Sequence, residues 1–236
     1  MGEKILNLYV WSSVAVIMKC KLRMNMKLSV GFVPELEKCT DSEVLNAMLE
    51  QEAHAVSNVN WAAEYPYAPN VSFRVAHTAD SLVIMFEVEE DHVKAVEMQD
   101  HGKVWQDSCV EFFVGNPCGE GYFNFEVNCI GTILAAKRTS RIDPAYLSDD
   151  KVAQIRRITS LERKPVDSEG EGQKWWMIEM IPFALLGLSQ APQALKANFY
   201  KCGDCCSKPH FLSWSPIDLP SPDFHCPAFF GDLELM

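Results

Sequence analysis

The chain has 236 residues, of which 48% are hydrophobic and 11% aromatic; this composition is typical of a globular protein and excludes an intrinsically disordered one. Its formal net charge of −11 argues against a nucleic-acid partner, because phosphate neutralisation requires a basic surface. The nine cysteines, an odd number, are not typical of the disulfide framework of a small secreted domain and favour a reducing compartment.

Residues 1–25 are predicted to be an N-terminal extension outside the folded domain. Lys4 precedes an apolar run over residues 5–18, which is too short for a membrane span and resembles the apolar part of a signal peptide. A basic stretch follows instead of a cleavage site, and Met24 and Met26 are alternative start points. We favour a non-native or upstream start of a cytoplasmic protein; the alternative is a signal-like segment of a periplasmic or secreted protein.

A helix-forming region begins the predicted domain, residues 26–236. Thr40-Asp41-Ser42-Glu43 has the form of a capping box, in which the first and fourth side chains satisfy backbone N–H groups at a helix start. Helical spacing of apolar residues continues to about Ala55. Two short helices are predicted further along the chain, over residues 91–98 and after Pro182.

Nine β-rich runs follow the first helix, and turn-rich segments separate them. They cover residues 71–77, 82–89, 108–114, 122–129, 152–159, 175–181, 197–202, 211–214 and 232–235. This pattern predicts an all-β protein, in which about nine strands form one antiparallel, jelly-roll-like β-sandwich domain.

Two neighbouring predicted strands place polar and aromatic side chains on one shared face. Val110, Phe112 and Val114 alternate toward the core. The opposite face therefore carries the remaining polar and aromatic residues of the hairpin, Trp105, Asp107, Glu111, Tyr122, Asn124, Glu126 and Asn128. Such a face has the parts that sugar recognition needs, an aromatic ring for the C–H face of a pyranose and polar groups for its hydroxyls. An ordinary solvent-facing sheet is the alternative.

Five ordered motifs resemble those of the family-9-like carbohydrate-binding modules, and the resemblance covers about residues 58–236. The motifs are VWQDSCVEFFV (104–114), YFNFEVNCIGT (122–132), NFYKCGD (198–204), HFLSWSP (210–216) and FFGDLEL (229–235). The stretch over residues 60–93 is also similar to standalone members of that group. The resemblance implies a β-sandwich that binds a mono- or oligosaccharide without cleaving it, in polysaccharide or glycan catabolism.

The resemblance also assigns roles to individual residues. Two tryptophans enclose a terminal sugar in the family; Trp105 corresponds to the first of them, six residues before the sugar-binding acid Glu111. Trp214 in the SWSP motif is similar to the second tryptophan, and Arg138 to a ligand-binding arginine. The resemblance further implies structural calcium held by loop carboxylates, without indicating its ligands. No other cofactor is expected.

A glycoside hydrolase acting on O-glycosyl bonds is the main alternative function. Its two carboxyl groups would have to flank the scissile bond, about 5 to 9.5 Å apart. Asp107 and Glu111 on one strand would be separated by roughly 13 Å. Glu111 and Glu126 could lie closer across the hairpin, but no motif gives them acid and base roles. We therefore predict a non-catalytic protein.

The cysteines and the nature of the partner leave further interpretations open. Cys202, Cys205 and Cys206, with histidines nearby, permit a zinc site, although one CxxC is a weak signal and free thiols are the simpler interpretation. A haem-binding sandwich would need an axial Met or His pair, and no spacing defines one. A protein-interaction sandwich would have no sugar ligand. The sequence predicts no membrane span and does not indicate an oligomeric state.

Overall fold

A computed structural model of the protein describes residues 26–236, so the extension predicted for residues 1–25 lies outside the described residues. Strands predominate, and two sheets pack face to face around an apolar core. The prediction of an all-β sandwich is therefore confirmed, although the described part of the chain has fourteen strands instead of about nine. No helix among residues 26–236 has both the length and the apolar character needed to cross a membrane.

Strands make up most of the regular structure between Lys27 and Leu235. In chain order they are β1 (Lys27–Phe32), β2 (His54–Ala55), β3 (Asn58–Val59), β4 (Asn70–His77), β5 (Ser81–Ala95), β6 (Cys109–Gly115), β7 (Tyr122–Asn128), β8 (Ile133–Arg138), β9 (Pro144–Tyr146), β10 (Arg156–Thr159), β11 (Val166–Pro182), β12 (Ala194–Cys202), β13 (Phe211–Ser213) and β14 (Gly231–Leu235). The α-helices are α1 (Asp41–Leu49) and α2 (Asp149–Val152), and the 3-10 helices are Pro34–Lys38, Val104–Gln106, Phe183–Leu186 and Pro227–Phe229.

The strands form two sheets, and β1, the first described strand of the chain, pairs with both of them. Sheet I has the order β14-β12-β6-β7-β8-β9, and sheet II has the order β4-β5-β11-β10. Strand β1 pairs in parallel with β14 through its first four residues, and its last two, Gly31 and Phe32, pair with β4. The first and last described strands are thus neighbours, and β1 connects the two sheets.

Alternation along the strands builds the core between the sheets. Val110, Phe112 and Val114 point into it from β6, as the sequence predicts. Phe199 of sheet I stacks on Phe73 of sheet II with ring centroids 3.8 Å apart, and both side chains are fully buried. Burying a phenylalanine stabilises a fold by about 1.5–3 kcal/mol, so this pair contributes strongly to holding the sheets together.

Helix α1 covers the outer face of sheet II. The predicted capping box is present: the Thr40 hydroxyl accepts from the Glu43 N–H, and the Thr40 N–H donates to the Glu43 carboxylate at 2.8 Å. Val44 and Met48 are buried against the sheet. The helix ends at Leu49 rather than near Ala55, because the following residues enter β2, which pairs with β4.

Three parts of the predicted secondary structure are wrong or incomplete. Residues 91–98 are not a helix: β5 continues to Ala95, because β11 supplies ladder hydrogen bonds over this stretch. The run predicted over residues 152–159 begins with the end of α2, and only β10 within it is a strand. Five strands have no counterpart among the nine predicted runs: β1, β2, β3, β8 and β9. Of these, β8 follows β7 after a four-residue turn in which Gly131 has a φ of 87°.

Candidate functional site

A pocket of about 580 Å³ opens on the outer face of sheet I. Its floor is made by side chains of four adjacent strands, Cys202 from β12, Glu111 from β6, Glu126 from β7 and Arg138 from β8. The walls come from connecting segments and from β9 and β13. They include Tyr65, Trp105, Tyr146, Asp204, Phe211, Phe224 and His225. The shared polar face predicted from β6 and β7 therefore exists, but the surrounding segments cover it in part and leave an open pocket rather than a flat, solvent-facing sheet.

The polar floor is a connected set of buried side chains. Glu111 and Glu126 are directly opposite each other in the antiparallel pair of β6 and β7. Asn124 lies beneath the pocket and is fully buried; its amide donates to Glu126 Oε1 at 2.9 Å, and its carbonyl accepts from Arg138 Nε at 2.8 Å. Arg138 Nη1 donates to the carbonyl of Arg141 at 2.6 Å. These bonds fix the guanidinium and the Glu126 carboxyl at the pocket floor.

Burial changes the protonation of the two floor carboxyls. It raises the pKa of Glu126 to about 7, against the opposing effect of the Arg138 charge. It also raises the pKa of Glu111 well above its ordinary range, and the neighbouring Glu126 charge adds to this increase. Both carboxyls therefore hold their protons to a higher pH than exposed carboxyls do. The floor can therefore both donate and accept hydrogen bonds.

Two wall residues also have shifted pKa values. Burial lowers the pKa of His225 to about 3, and the charges of Arg138 and Arg141 lower it further, so the imidazole is neutral at physiological pH. Its Nδ1 lies 2.9 Å from the Tyr122 hydroxyl. Burial raises the pKa of Asp204 to about 6. The wall therefore offers a neutral imidazole and a carboxyl group to a ligand.

Four of the predicted site residues line this pocket together: Trp105, Glu111, Glu126 and Arg138. Trp105 is half-buried and belongs to the 3-10 helix Val104–Gln106, not to the strand, which begins at Cys109. Its carbonyl accepts from the Asp204 N–H at 3.3 Å, which ties the loop after β12 to the tryptophan. Asn124 does not line the pocket but holds two residues that do.

Trp214, the second predicted tryptophan platform, does not line the pocket with Trp105. Its side chain is only 3% exposed and lies in the core, edge-on to Phe73 at 6.0 Å and to Phe199 at 5.7 Å between ring centroids. The reason is alternation through and beyond β13: Leu212 and Trp214 point inward, whereas Phe211 points to the pocket. A tryptophan buried in this way cannot cover a sugar face in this structure.

Asp107 and Asn128 are also placed away from the pocket. The Asp107 carboxylate accepts from the backbone N–H groups of Val96 at 3.1 Å and Glu97 at 3.0 Å, and from the Asn128 amide at 2.9 Å. The Asn128 side-chain carbonyl accepts from the Thr132 N–H at 2.9 Å. Both side chains are buried, hold the connections around β6 and β7, and do not line the pocket.

Sequence reasoning did not select several residues of the pocket wall. Phe211 was detectable, because alternation in the FLSW stretch places it opposite Trp214. Tyr65 and His225 from loops and Tyr146 from β9 are distant from one another in sequence, and no local pattern indicates that they meet over β6 and β7.

One group among residues 26–236 has three side chains at metal-ligand spacing. Cys109, Glu111 and Cys202 are all buried, and their ligand atoms lie within 4.8 Å of one another. Calcium, which the family resemblance implies, prefers oxygen ligands, so this thiol-containing set does not fit it. Of the cysteines considered for a zinc site, only Cys202 belongs to the group, and Cys205 is exposed.

A second cavity of about 500 Å³ lies on sheet II. It is lined by β4, β5 and β11 and includes the partly exposed Trp176. None of the predicted site residues lines it.

Comparison with known proteins assigns the chain to a family. The family model described as carbohydrate-binding family 9 matches residues 42–235. A "putative carbohydrate-binding protein" from Bacteroides uniformis ATCC 8492 is 38% identical, with a TM-score of 0.82; the match covers 90% of this chain and 100% of that one. None of the curated proteins compared with the chain matches it.

Two more distant solved structures share the fold. Both are of a carbohydrate binding module family 9 from Caldicellulosiruptor kristjanssonii, one in complex with glucose and one with cellotriose. The glucose complex is 15% identical to this chain, with a TM-score of 0.59, and the match covers 89% of this chain and 96% of that one. The cellotriose complex is 14% identical, with a TM-score of 0.58, and the match covers 89% of this chain and 93% of that one. With the family model matching most of its length, the chain belongs to carbohydrate-binding family 9.

Proposed function

We propose that this protein binds a mono- or oligosaccharide in the pocket on sheet I and does not cleave it. The observation that carries the proposal is the position of half-buried Trp105 beside a buried row of polar side chains, Glu111, Glu126 and Arg138. The role we propose for this binding is in polysaccharide or glycan catabolism. Support comes from the family and from the relatives of the same fold that were solved with glucose and with cellotriose.

Trp105 would supply the apolar part of the interaction. A pyranose ring has faces of C–H groups, and an indole ring covers such a face with a large, rigid apolar area. The tryptophan stays accessible from the pocket because the 3-10 helix Val104–Gln106 holds it at the rim, against a cluster that includes Val104 and Tyr200. Tyr65 and Phe211, with ring centroids 4.8 Å apart, add aromatic surface to the same pocket.

The floor would bind the hydroxyls of the sugar. The Arg138 guanidinium uses Nε and Nη1 for fixed protein acceptors, so Nη2 is the nitrogen that these two bonds leave for a ligand. The Glu126 carboxyl is oriented by the Asn124 amide, and its pKa of about 7 lets it accept or donate. Charge-assisted hydrogen bonds in a desolvated pocket are stronger than those between neutral groups. Fixed polar groups also favour ligands with matching hydroxyl positions.

The placement of the two carboxyls supports binding rather than hydrolysis. Glycosidases position their acid and their base or nucleophile around the bond that breaks. Glu111 and Glu126 lie side by side on adjacent strands of one floor, so a sugar in the pocket meets both from the same side.

The test is a glycan array followed by titration of the best-binding sugar against wild type, Trp105→Ala and Trp176→Ala. We expect Trp105→Ala to weaken binding by about 1–3 kcal/mol, or roughly 5- to 150-fold, which is the magnitude of stacking on an aromatic ring. Trp176→Ala removes a partly exposed tryptophan on sheet II and should leave the affinity unchanged. Calorimetry measures the affinity without depending on tryptophan fluorescence.

Three results would refute the proposal. One is the absence of binding to any glycan by the folded wild-type protein, which would favour a protein-interaction sandwich. Another is unchanged affinity in folded Trp105→Ala, which would place the site elsewhere. Release of reducing sugar from the bound glycan by the wild type, lost in Glu126→Gln, would show a glycoside hydrolase instead.

A further inference from the structure

We propose that Cys109, Glu111 and Cys202 form a binding site for a thiophilic divalent metal ion of the zinc class at the floor of the pocket. The inference goes beyond the proposed sugar binding and does not depend on it. It rests on the geometry of three buried ligand side chains, on the excess of acidic groups around them, and on the access that the pocket provides.

The strand register brings the three ligands together. Cys109 and Cys202 are directly opposite each other in the antiparallel pair of β6 and β12. Glu111 lies two residues after Cys109 on β6 and therefore points to the same side of the sheet. The Cys202 thiol donates to Glu111 Oε1 at 3.1 Å, and the three ligand atoms lie within 4.8 Å of one another. Rigid strands rather than loops hold all three positions, so the set is preformed.

These distances suit a tetrahedral ion. Zinc binds thiolate sulfur at about 2.3 Å and carboxylate oxygen at about 2.0–2.2 Å. Ligand atoms around one such ion are therefore separated by roughly 3–4 Å, which is compatible with the separations in this cluster. Small rotations of side chains would be enough to direct the three atoms toward a common centre.

The surroundings contain more acidic groups than cations. The carboxyls of Glu126 and Asp204 act on the cluster, which itself contains the Glu111 carboxyl, and the cations that act on it are Arg138 at Glu111 and Lys201 at Cys109. The Lys201 ammonium is itself paired with Glu90 at 2.9 Å, which offsets its charge. Burial raises the pKa of the Cys109 thiol to about 12 and that of Cys202 well above its usual range, so without a cation the thiols stay protonated. A bound dication would reverse this preference, because thiolate is the form that binds metal.

The donor set selects the class of metal. Two thiolates favour soft and borderline ions such as zinc, and disfavour calcium and magnesium. Three protein ligands leave one position of a tetrahedral ion for water or another ligand, as in zinc sites with an open position. Glu111 and Cys202 line the pocket, so a metal ion can reach the cluster from solvent. Cys109, beneath them, closes the site from below.

The test uses Co²⁺ as the metal probe on the full chain, kept reduced with a phosphine and with no sugar present. We expect thiolate-to-cobalt charge-transfer absorption that saturates at one equivalent and disappears when Zn²⁺ is added. Cys202→Ser and Cys109→Ser should abolish this absorption. Cys205→Ser removes an exposed thiol three residues from Cys202 and is the matched control; it should titrate as wild type.

A further variant covers the case in which a cysteine substitution prevents folding. Glu111→Gln keeps both thiols and the shape of the side chain, and should weaken Co²⁺ binding by at least about tenfold while retaining the thiolate absorption. Zn²⁺ should raise the melting temperature of the wild type and not that of Cys202→Ser. Because no sugar is used, failure here leaves the proposed function unaffected.

Several outcomes would overturn the metal site. They are the absence of thiolate absorption in the reduced wild type, an unchanged titration in folded Cys202→Ser, and loss of the absorption in Cys205→Ser alone. A Cys109–Cys202 disulfide that persists under the reductant and blocks Co²⁺ binding would also overturn it.

Discussion

The two outer faces of the sandwich are both covered, but by different kinds of structure. Helix α1 and the 3-10 helix before it cover sheet II with an apolar cluster that contains Met48, Val83 and Met85. Loops cover sheet I, and beneath them lie aromatic rings together with buried carboxyls, an arginine and thiols. A regular helix satisfies its own backbone hydrogen bonds and covers its part of sheet II with apolar side chains, next to which the second cavity lies on the same sheet. Loops from several parts of the chain instead bring buried polar groups into the pocket on sheet I.

The difference shows how one strand can serve both stability and binding. The inward side chains of β6 belong to the apolar core, and its outward side chains form part of the pocket floor. Polar residues on the outward side are stable there because they bond to one another, as the Asn124 bonds to Glu126 and Arg138 show. Substitutions on the helix side should therefore change stability alone, and substitutions on the pocket side should change titration and binding.

The largest effect is expected from Met48→Ala on the helix side. Met48 is fully buried between α1 and sheet II, so the cavity left by truncation should lower the free energy of unfolding by about 2–5 kcal/mol. Urea denaturation measures this change, and sugar affinity of the folded variant should equal that of the wild type. Leu49→Ala alters a 44% exposed neighbour and should cost less than about 1 kcal/mol. A parallel loss of sugar affinity in Met48→Ala would show that the two faces are coupled.

A smaller effect, confined to the pocket side, is expected from Glu126→Gln. The pKa of Glu126 is raised from 4.5 to about 7 in the folded protein, so between these pH values the folded state holds more protons than the unfolded one. The contribution of Glu126 to the free energy of unfolding, up to about 3 kcal/mol, is therefore present at low pH and is lost as the pH rises through 7. The Glu126→Gln variant has no carboxyl at this position, so its free energy of unfolding should fall less than that of the wild type as the pH increases.

Urea denaturation at several pH values between 5 and 8 measures the Glu126 effect. Glu52→Gln, at an exposed position, is the control and should follow the wild type. Equal pH dependence of wild type and Glu126→Gln would mean that the pocket floor does not titrate as described.

The smallest effect is expected from Thr40→Ala, which removes the cap of α1. The Thr40 side chain accepts from Glu43 N–H and also donates to the Glu43 carboxylate at 2.8 Å, so its loss should cost about 1 kcal/mol. Thermal unfolding measures this cost. Asn46→Ala leaves the cap intact at an exposed position of the same helix and should not be destabilising. A cost as large as that of Met48→Ala would show that α1 is held mainly by its cap.

Local patterns were sufficient for much of the fold and part of the candidate site. Alternation identified the inward residues of β6 and the shared outward face of β6 and β7, because a strand fixes the side of every second residue. The Thr40–Glu43 capping box identified the start of α1, because its hydrogen bonds join residues that are close in sequence.

Long-range contacts account for what the sequence did not indicate. Residues 91–95 are extended because β11, more than seventy residues away, pairs with them. Trp214 is a core residue because it faces Phe73 across the sandwich, which the SWSP motif alone does not reveal. The pocket wall combines Tyr65, Tyr146 and His225, and only the folded chain brings these residues together.

The position of β14 has a consequence for the order of folding during synthesis. This strand lies between β1 and β12, and it is the link in the sheet path that joins β1 to the rest of sheet I. Chains are synthesised from the N-terminus, so the first four residues of β1 wait for a partner more than 200 residues later in the sequence, whereas its last two pair with β4. A nascent chain that has reached only residue 230 exposes unpaired edges on β1 and β12, and these edges are sites for contact with chaperones or other nascent chains.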